Sequence, residues 1–132
     1  MTTKRQNISS GSSYEKAYGY SRAVKVNDTV YISGTVGFNY ETGEISPDPV
    51  EQVHQIIRNI EPALEKAGAK LSDIVQISTY VTAPEVFTEQ VGPELGKIFN
   101  NILPTNCALV VKFPVPGVVV EILATAVIGC GD

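Results

Sequence analysis

Residues 116–129 read PGVVVEILATAVIG, and the register of this run decides which way one carboxylate, Glu121, points. Alternation in a strand sends Val118, Val120, Ile122, Ala124, Ala126 and Ile128 to one face. Val119, Glu121, Leu123, Thr125 and Val127 take the other. The even set is uniformly apolar and belongs against helices. The odd set is too apolar for open water, yet it carries Glu121. An apolar sheet face that the chain's own helices leave uncovered predicts a partner subunit, with Glu121 in a shielded groove at the interface. A carboxylate shielded without a partner costs several kcal/mol or takes up a proton. Glu121 is therefore a candidate for proton transfer, and a rim position or an interface ion pair is the alternative.

The run NCALVVKF (106–113) is expected to pair with 118–128 across the PVPG connection, closing the fold. Near the start of the chain, SRAVKV (21–26) and TVYISG (29–34) alternate around Asn27-Asp28, which predicts a hairpin. Between these ends lies a strong helix signal. Asp48 caps it, Pro49 suits its first position, and Gly68 suits its stop. Val50, Val53, Ile56, Ile57, Ile60 and Leu64 recur on one face, while Pro62 predicts a kink or an early end. DIVQISTYVT (73–82) reads as a strand, and residues 84–101 as a second helix weakened by Gly92 and Pro93. The order strand, strand, helix, strand, helix, strand, strand predicts an α+β class, a mixed sheet with two helices packed on one face.

At 132 residues the chain is expected to be a single domain, 1–132, with residues 1–17 a loosely ordered lead-in containing SSGSS. With 43% hydrophobic and 18% charged residues it has the material for a packed core. The net charge of -4 and the scatter of the basic residues argue against a nucleic-acid or anionic-membrane partner. There is no secretory signal pattern and no run long enough to span a membrane, so the expected location is cytoplasmic, with Cys107 and Cys130 as free thiols.

Two segments carry a family likeness. LPTNCALVVKFPVPGVVVEILATAV (103–127) resembles the C-terminal signature of the YjgF/RidA family, the reactive intermediate deaminases. YGYSRAVKVNDTVYISGTVG (18–37) resembles that family's N-terminal hairpin. The likeness runs from about Tyr20 to Val127 in the same element order. It implies a chorismate mutase-like fold and a homotrimer whose sheets form a central barrel, with three intersubunit clefts. It also implies a cleft lined at Tyr20, Gly34, Cys107 and Glu121. The family reaction is metal-free hydrolysis of enamines and imines such as 2-aminoacrylate to a 2-keto acid and ammonia. At position 106 the family's deaminases have an arginine that grips the substrate carboxylate, and here that position is Asn106. A charge-assisted Arg–carboxylate contact is roughly twice as strong as a neutral hydrogen bond. The expected substrate is therefore a small carboxylate other than 2-aminoacrylate, of which an aminomuconate-like acid is one example.

Hydrolysis of an imine needs a water at the C=N carbon, a group to take its proton, and a donor for the leaving nitrogen. Glu121 is the candidate for the proton transfer. Tyr20 can orient substrate or water, and Gly34 with its neighbour Thr35 can offer close backbone approach. Tyr20 and Arg22 lie two apart, so an extended backbone puts them on one face, where Arg22 can supply the missing cation. Asn106 and Cys107 complete the set of expected substrate contacts. No Cys–His pair is apparent, since His54, the only histidine, lies on the polar side of the first helix. No metal spacing or phosphate-cradling pattern occurs, so no metal or cofactor is expected. Two other functions fit less well: a non-catalytic small-molecule binding module with the same cleft, and a ribonuclease or translation inhibitor, which the acidic charge disfavours.

Overall fold

A computed structural model describes residues 3–131. Two strands joined by Asn27-Asp28 form as the alternation requires: β2 (Ala23–Val26) and β3 (Thr29–Val36). Asn27 takes a positive φ of 54°, the conformation that suits asparagine in a two-residue hairpin turn. Ahead of them lie β1 (Arg5–Ile8) and the short α1 (Ser13–Tyr18). After them come α2 (Pro49–Ala67), β4 (Ile74–Val81), α3 (Pro84–Val86), α4 (Gly92–Ile98), β5 (Thr105–Val110) and β6 (Val120–Val127). The sheet order is β1-β2-β3-β6-β4-β5, antiparallel throughout except for the parallel β4–β5 pair. The mixed α+β architecture is the one expected.

Register places the even-numbered face of β6 in the core. Val120, Ile122, Ala124 and Ala126 are buried with Val30 and Ile32 of β3 beneath Val53, Ile56, Ile60 and Leu64 of α2. Asp48 caps α2 by accepting the Val50 N–H at 3.0 Å, and Gly68 ends it in the left-handed region at φ 85°. The helix runs through Pro62 to Ala67, so of the expected kink or early end the early end does not occur. Pro62 lies on the exposed side, where water can satisfy the carbonyl left without its N–H partner. Gln52 is fully buried and ties α2 to the end of the sheet. Its amide donates to the Ser46 and Gly117 carbonyls, and its oxygen accepts from the Val119 N–H.

Three further expectations need correction. First, β5 and β6 do not pair with each other: β6 inserts between β3 and β4, and β5 lies parallel to β4 at the edge. The helical segment after β4 carries the chain back along the sheet, which makes the next strand parallel, and Pro114 and Pro116 have no N–H to continue a ladder. Second, within the expected loose lead-in of residues 1–17, of which the structure describes 3–17, two elements form. β1 pairs with β2 and buries Ile8, while Ser12 caps α1 and Glu15 folds back onto Ser10. The Ser12-x-x-Glu15 spacing is a helix-start signal that could have revealed α1. Third, the helical segment after β4 widens into a π turn over Phe87–Val91 between α3 and α4. A Cβ at Gly92 would sit 2.8 Å from the Phe87 carbonyl, so glycine permits the turn.

Among the described residues, no helix is long and apolar enough to cross a membrane.

Candidate functional site

Glu121 sits on the helix-free face of β6, opposite Val36 of β3 and Tyr80 of β4. The β3–β6 register slips between Ile32 and Thr35, where Ser33 and Gly34 of β3 stand against Leu123 alone on β6. That extra residue is a β-bulge at Ser33–Gly34, and it turns the Gly34 peptide against Glu121. A Cβ built on Gly34 would lie 2.9 Å from Glu121 Cδ and 3.0 Å from Oε2. Glycine leaves room for the carboxylate in this position, and a larger residue would have to displace it. Among the described residues no donor hydrogen-bonds it. Burial pushes the Glu121 carboxyl above its ordinary range, and the Arg22 guanidinium opposes that rise in part.

Tyr20 and Arg22 lie in the segment just before β2 rather than within the strand. Arg22 is 5% exposed. Its Nη2 donates to the Gly34 carbonyl at 2.7 Å and its Nη1 to the Tyr40 hydroxyl at 3.2 Å. Its Nε is buried without a hydrogen-bond partner among the described residues. The guanidinium carbon stands 5.9 Å from the centre of the Tyr20 ring, within cation–π range. Tyr20 itself remains 42% exposed. Burial raises the pKa of its hydroxyl, Arg22 opposes the rise, and Glu15, Tyr40 and Glu121 add to it.

Two of the expected substrate contacts have side-chain partners within the chain itself. The Arg22 guanidinium is covered and engaged by protein acceptors, because the bulge leaves the Gly34 carbonyl free to receive it. Thr35 is wholly buried, with Oγ1 donating to the Ser33 carbonyl at 2.9 Å. It pairs with Ile122, so its side chain shares the core face and offers a cleft nothing beyond its backbone.

Asn106 and Cys107 stand apart from this cluster, on the exposed edge strand β5. Cys107 aligns with Ser78 of β4 and thence with Leu123 of β6, two strands away from Glu121's own. The Asn106 side-chain oxygen accepts from Thr79 Oγ1 at 3.1 Å. One chain therefore brings together Tyr20, Arg22, Gly34 and Glu121, with Tyr40 as a member the sequence reading missed. Tyr40 follows the strand in a turn-rich stretch, where no pattern marks it. Among the described residues no cluster of His, Cys, Asp or Glu could hold a metal ion.

The endoribonuclease L-PSP family model matches residues 11–128. The chain belongs to this family, the YjgF/RidA family. A Mycobacterium tuberculosis protein of the YjgF/YER057c/UK114 family shares the fold with a TM-score of 0.84 and 37% identity, over 95% of this chain and all of that one. The 2-iminobutanoate/2-iminopropanoate deaminase of Mus musculus is 33% identical over 111 residues, 83% of this chain and 82% of the relative. A RutC family protein of Aquifex aeolicus is 44% identical over 70 residues, 53% of this chain and 56% of that protein. The family likeness covers both the Glu121 cluster and the β5 edge.

Proposed function

We propose that the protein hydrolyses a small enamine or imine to a carbonyl compound and ammonia without a metal, in a cleft completed by a second copy of the chain within a cytoplasmic homotrimer. The observation that carries this reading is the Glu121 carboxylate, set against the Cβ-less Gly34 with a raised pKa and no donor of its own. A carboxylate in that state exchanges protons closer to neutral pH than an ordinary glutamate. An enamine first takes a proton on carbon and gives one up from nitrogen to solvent, becoming the imine. Water then attacks the C=N carbon and passes a proton to Glu121, while the π electrons move to nitrogen. Glu121 returns the proton to nitrogen to give the carbinolamine, whose hydroxyl proton then passes to the nitrogen as the C–N bond breaks, leaving a carbonyl and ammonia. Tyr20, beside Arg22 and half-exposed, is placed to orient the water or substrate. The deaminase among its relatives supports the same reaction class.

Trimer assembly is supported by the helix-free face. Tyr31, Leu109 and Leu123 are exposed there at 53%, 50% and 40%. An apolar surface of that kind marks an association site. A neighbouring β5 edge would bring Asn106 and Cys107 to the cleft. Asn106 is neutral and already bonded to Thr79, which supports a substrate other than 2-aminoacrylate, such as an aminomuconate-like acid. The same substitution favours the second reading, a binding module that kept the cleft without the chemistry.

Ammonia release from a panel of enamines, with the mass in solution measured by light scattering, tests the proposal. The expected result is about three chain masses, weak turnover of 2-aminoacrylate and stronger turnover of another acid, with Asn106→Arg raising the 2-aminoacrylate rate. A monomer would remove the cleft. Strong native turnover of 2-aminoacrylate would overturn the substrate assignment, and ammonia from no enamine at all would leave the binding module.

A further inference from the structure

We infer that Arg22 is a positioning residue, whose guanidinium fixes the Gly34 peptide beneath the Glu121 carboxylate and acts on the reaction through that carboxylate without touching substrate. The inference rests on the assignment of Glu121 as the proton-transfer group and gives it a support. A β-bulge leaves one ladder position unpaired, and here the Gly34 carbonyl is taken up by Arg22 Nη2 at 2.7 Å. Glycine has more backbone freedom than any other residue, so an unanchored Gly34 peptide can turn its carbonyl oxygen toward the carboxylate. Arg22 removes that freedom. It is itself held by the Tyr40 hydroxyl and lies over the Tyr20 ring, a setting that suits a fixed strut better than a substrate-gripping cation.

Charge adds a second effect. The titratable groups around Glu121 are Arg22 and Tyr20 from the segment before β2, and Tyr80 directly opposite on β4. Tyr40 lies one step further away through Arg22. Of these, the Arg22 cation acts on the Glu121 carboxyl, holding it lower than burial alone would. Loss of Arg22 should therefore both loosen the carboxylate and raise its pKa.

Arg22→Met and Arg22→Lys, read by steady-state kinetics across pH and by NMR titration of the Glu121 carboxyl without substrate, test the inference. Arg22→Met is expected to lower kcat roughly 10²-fold, the scale of a small misplacement of a reacting group, with KM changed by no more than about threefold. The Glu121 titration and the matching limb of the pH–rate profile should move to higher pH. Arg22→Lys keeps the charge and loses the forked contact, so its kcat should fall between the two, with Glu121 titrating near the wild-type position. If Arg22→Met does not fold, this lysine pattern decides alone. A KM rise confined to carboxylate substrates, with kcat kept, would overturn the inference in favour of direct substrate contact. A lowered melting temperature with unchanged kcat, KM and Glu121 titration would reduce Arg22 to a structural residue. If no enamine is hydrolysed but Arg22→Met still shifts the titration, the coupling stands and the deaminase reading falls.

Discussion

At the start of β4 the Asp73 carboxylate accepts N–H groups from Lys70 at 3.0 Å and Gly131 at 2.9 Å. Near the other end of that strand, opposite Tyr80, the Glu121 carboxylate stands over Gly34 with no hydrogen-bond donor among the described residues. Both side chains are taken largely out of water, Asp73 to 1% exposure. For Asp73, burial pushes the carboxyl up, but the backbone N–H groups of Gly131, Lys70 and Gly129 pull it further down, so it ends below the ordinary range. For Glu121, burial also pushes up, and only the Arg22 cation answers, so it ends above. What separates the two is the supply of donors. A carboxylate given backbone N–H groups stays ionised and holds structure together, whereas one denied them is left able to take and release a proton.

The largest effect should come from removing the ionisable group at the undonated site. Glu121→Gln keeps the shape and hydrogen-bonding capacity of the side chain, so a loss of the general acid–base role should appear as a roughly 10²–10⁴-fold fall in the rate of ammonia release. The assembly should stay intact by light scattering. Full activity in this variant would break the contrast, leaving Glu121 a rim residue.

Much of this is legible in the sequence alone. The apolar even set of β6 fixed the outward direction of Glu121, and the cap, stripe and stop of α2 located the helix that covers the other face. What escaped reading shares one physical cause. Alternation reports which face a side chain takes and says nothing about which strand lies alongside, so the β5–β6 pairing was misread. Besides the nearby Lys70, the partners of Asp73 are the backbone N–H groups of Gly129 and Gly131, and backbone donors leave no mark in a side-chain pattern. Arg22 lies beside Tyr20 in the segment before β2, and its burial depends on the bulge at Gly34, which no local motif announces.

A smaller effect, of opposite kind, is expected at the donated site. Asp73→Asn replaces one acceptor oxygen with an NH₂ group that faces a backbone N–H. One buried donor is then left without a partner, which costs about 1–3 kcal/mol of stability. The measurement is a denaturant melt, and the rate of ammonia release per folded protein should be unchanged. A variant as stable as the parent would show that the C-terminal turn re-forms its contacts elsewhere.

The smallest effect is the pH dependence that separates the two carboxylates. Glu121 has a folded pKa above its ordinary value of 4.5, so the folded state holds the proton more tightly than the unfolded chain. Ionisation then disfavours folding, and the penalty is absent below the ordinary value, growing as pH rises toward the folded one. Glu121→Gln should therefore melt at or slightly above the parent at neutral pH, with the difference fading below about 4.5. Asp73 has the opposite sign: its folded pKa lies below the ordinary 3.8, so its contribution is present above that value and is lost as pH falls through the folded one. The deficit of Asp73→Asn should narrow only in that more acid range. Melting temperatures of parent and both variants, taken from neutral pH downward, should show the glutamine advantage vanish before the asparagine deficit shrinks. A Glu121→Gln protein less stable than the parent at neutral pH would mean that the carboxylate has a charged partner across a subunit interface. Removing one member of such a buried pair costs about 3–5 kcal/mol, a loss large enough to reverse the sign.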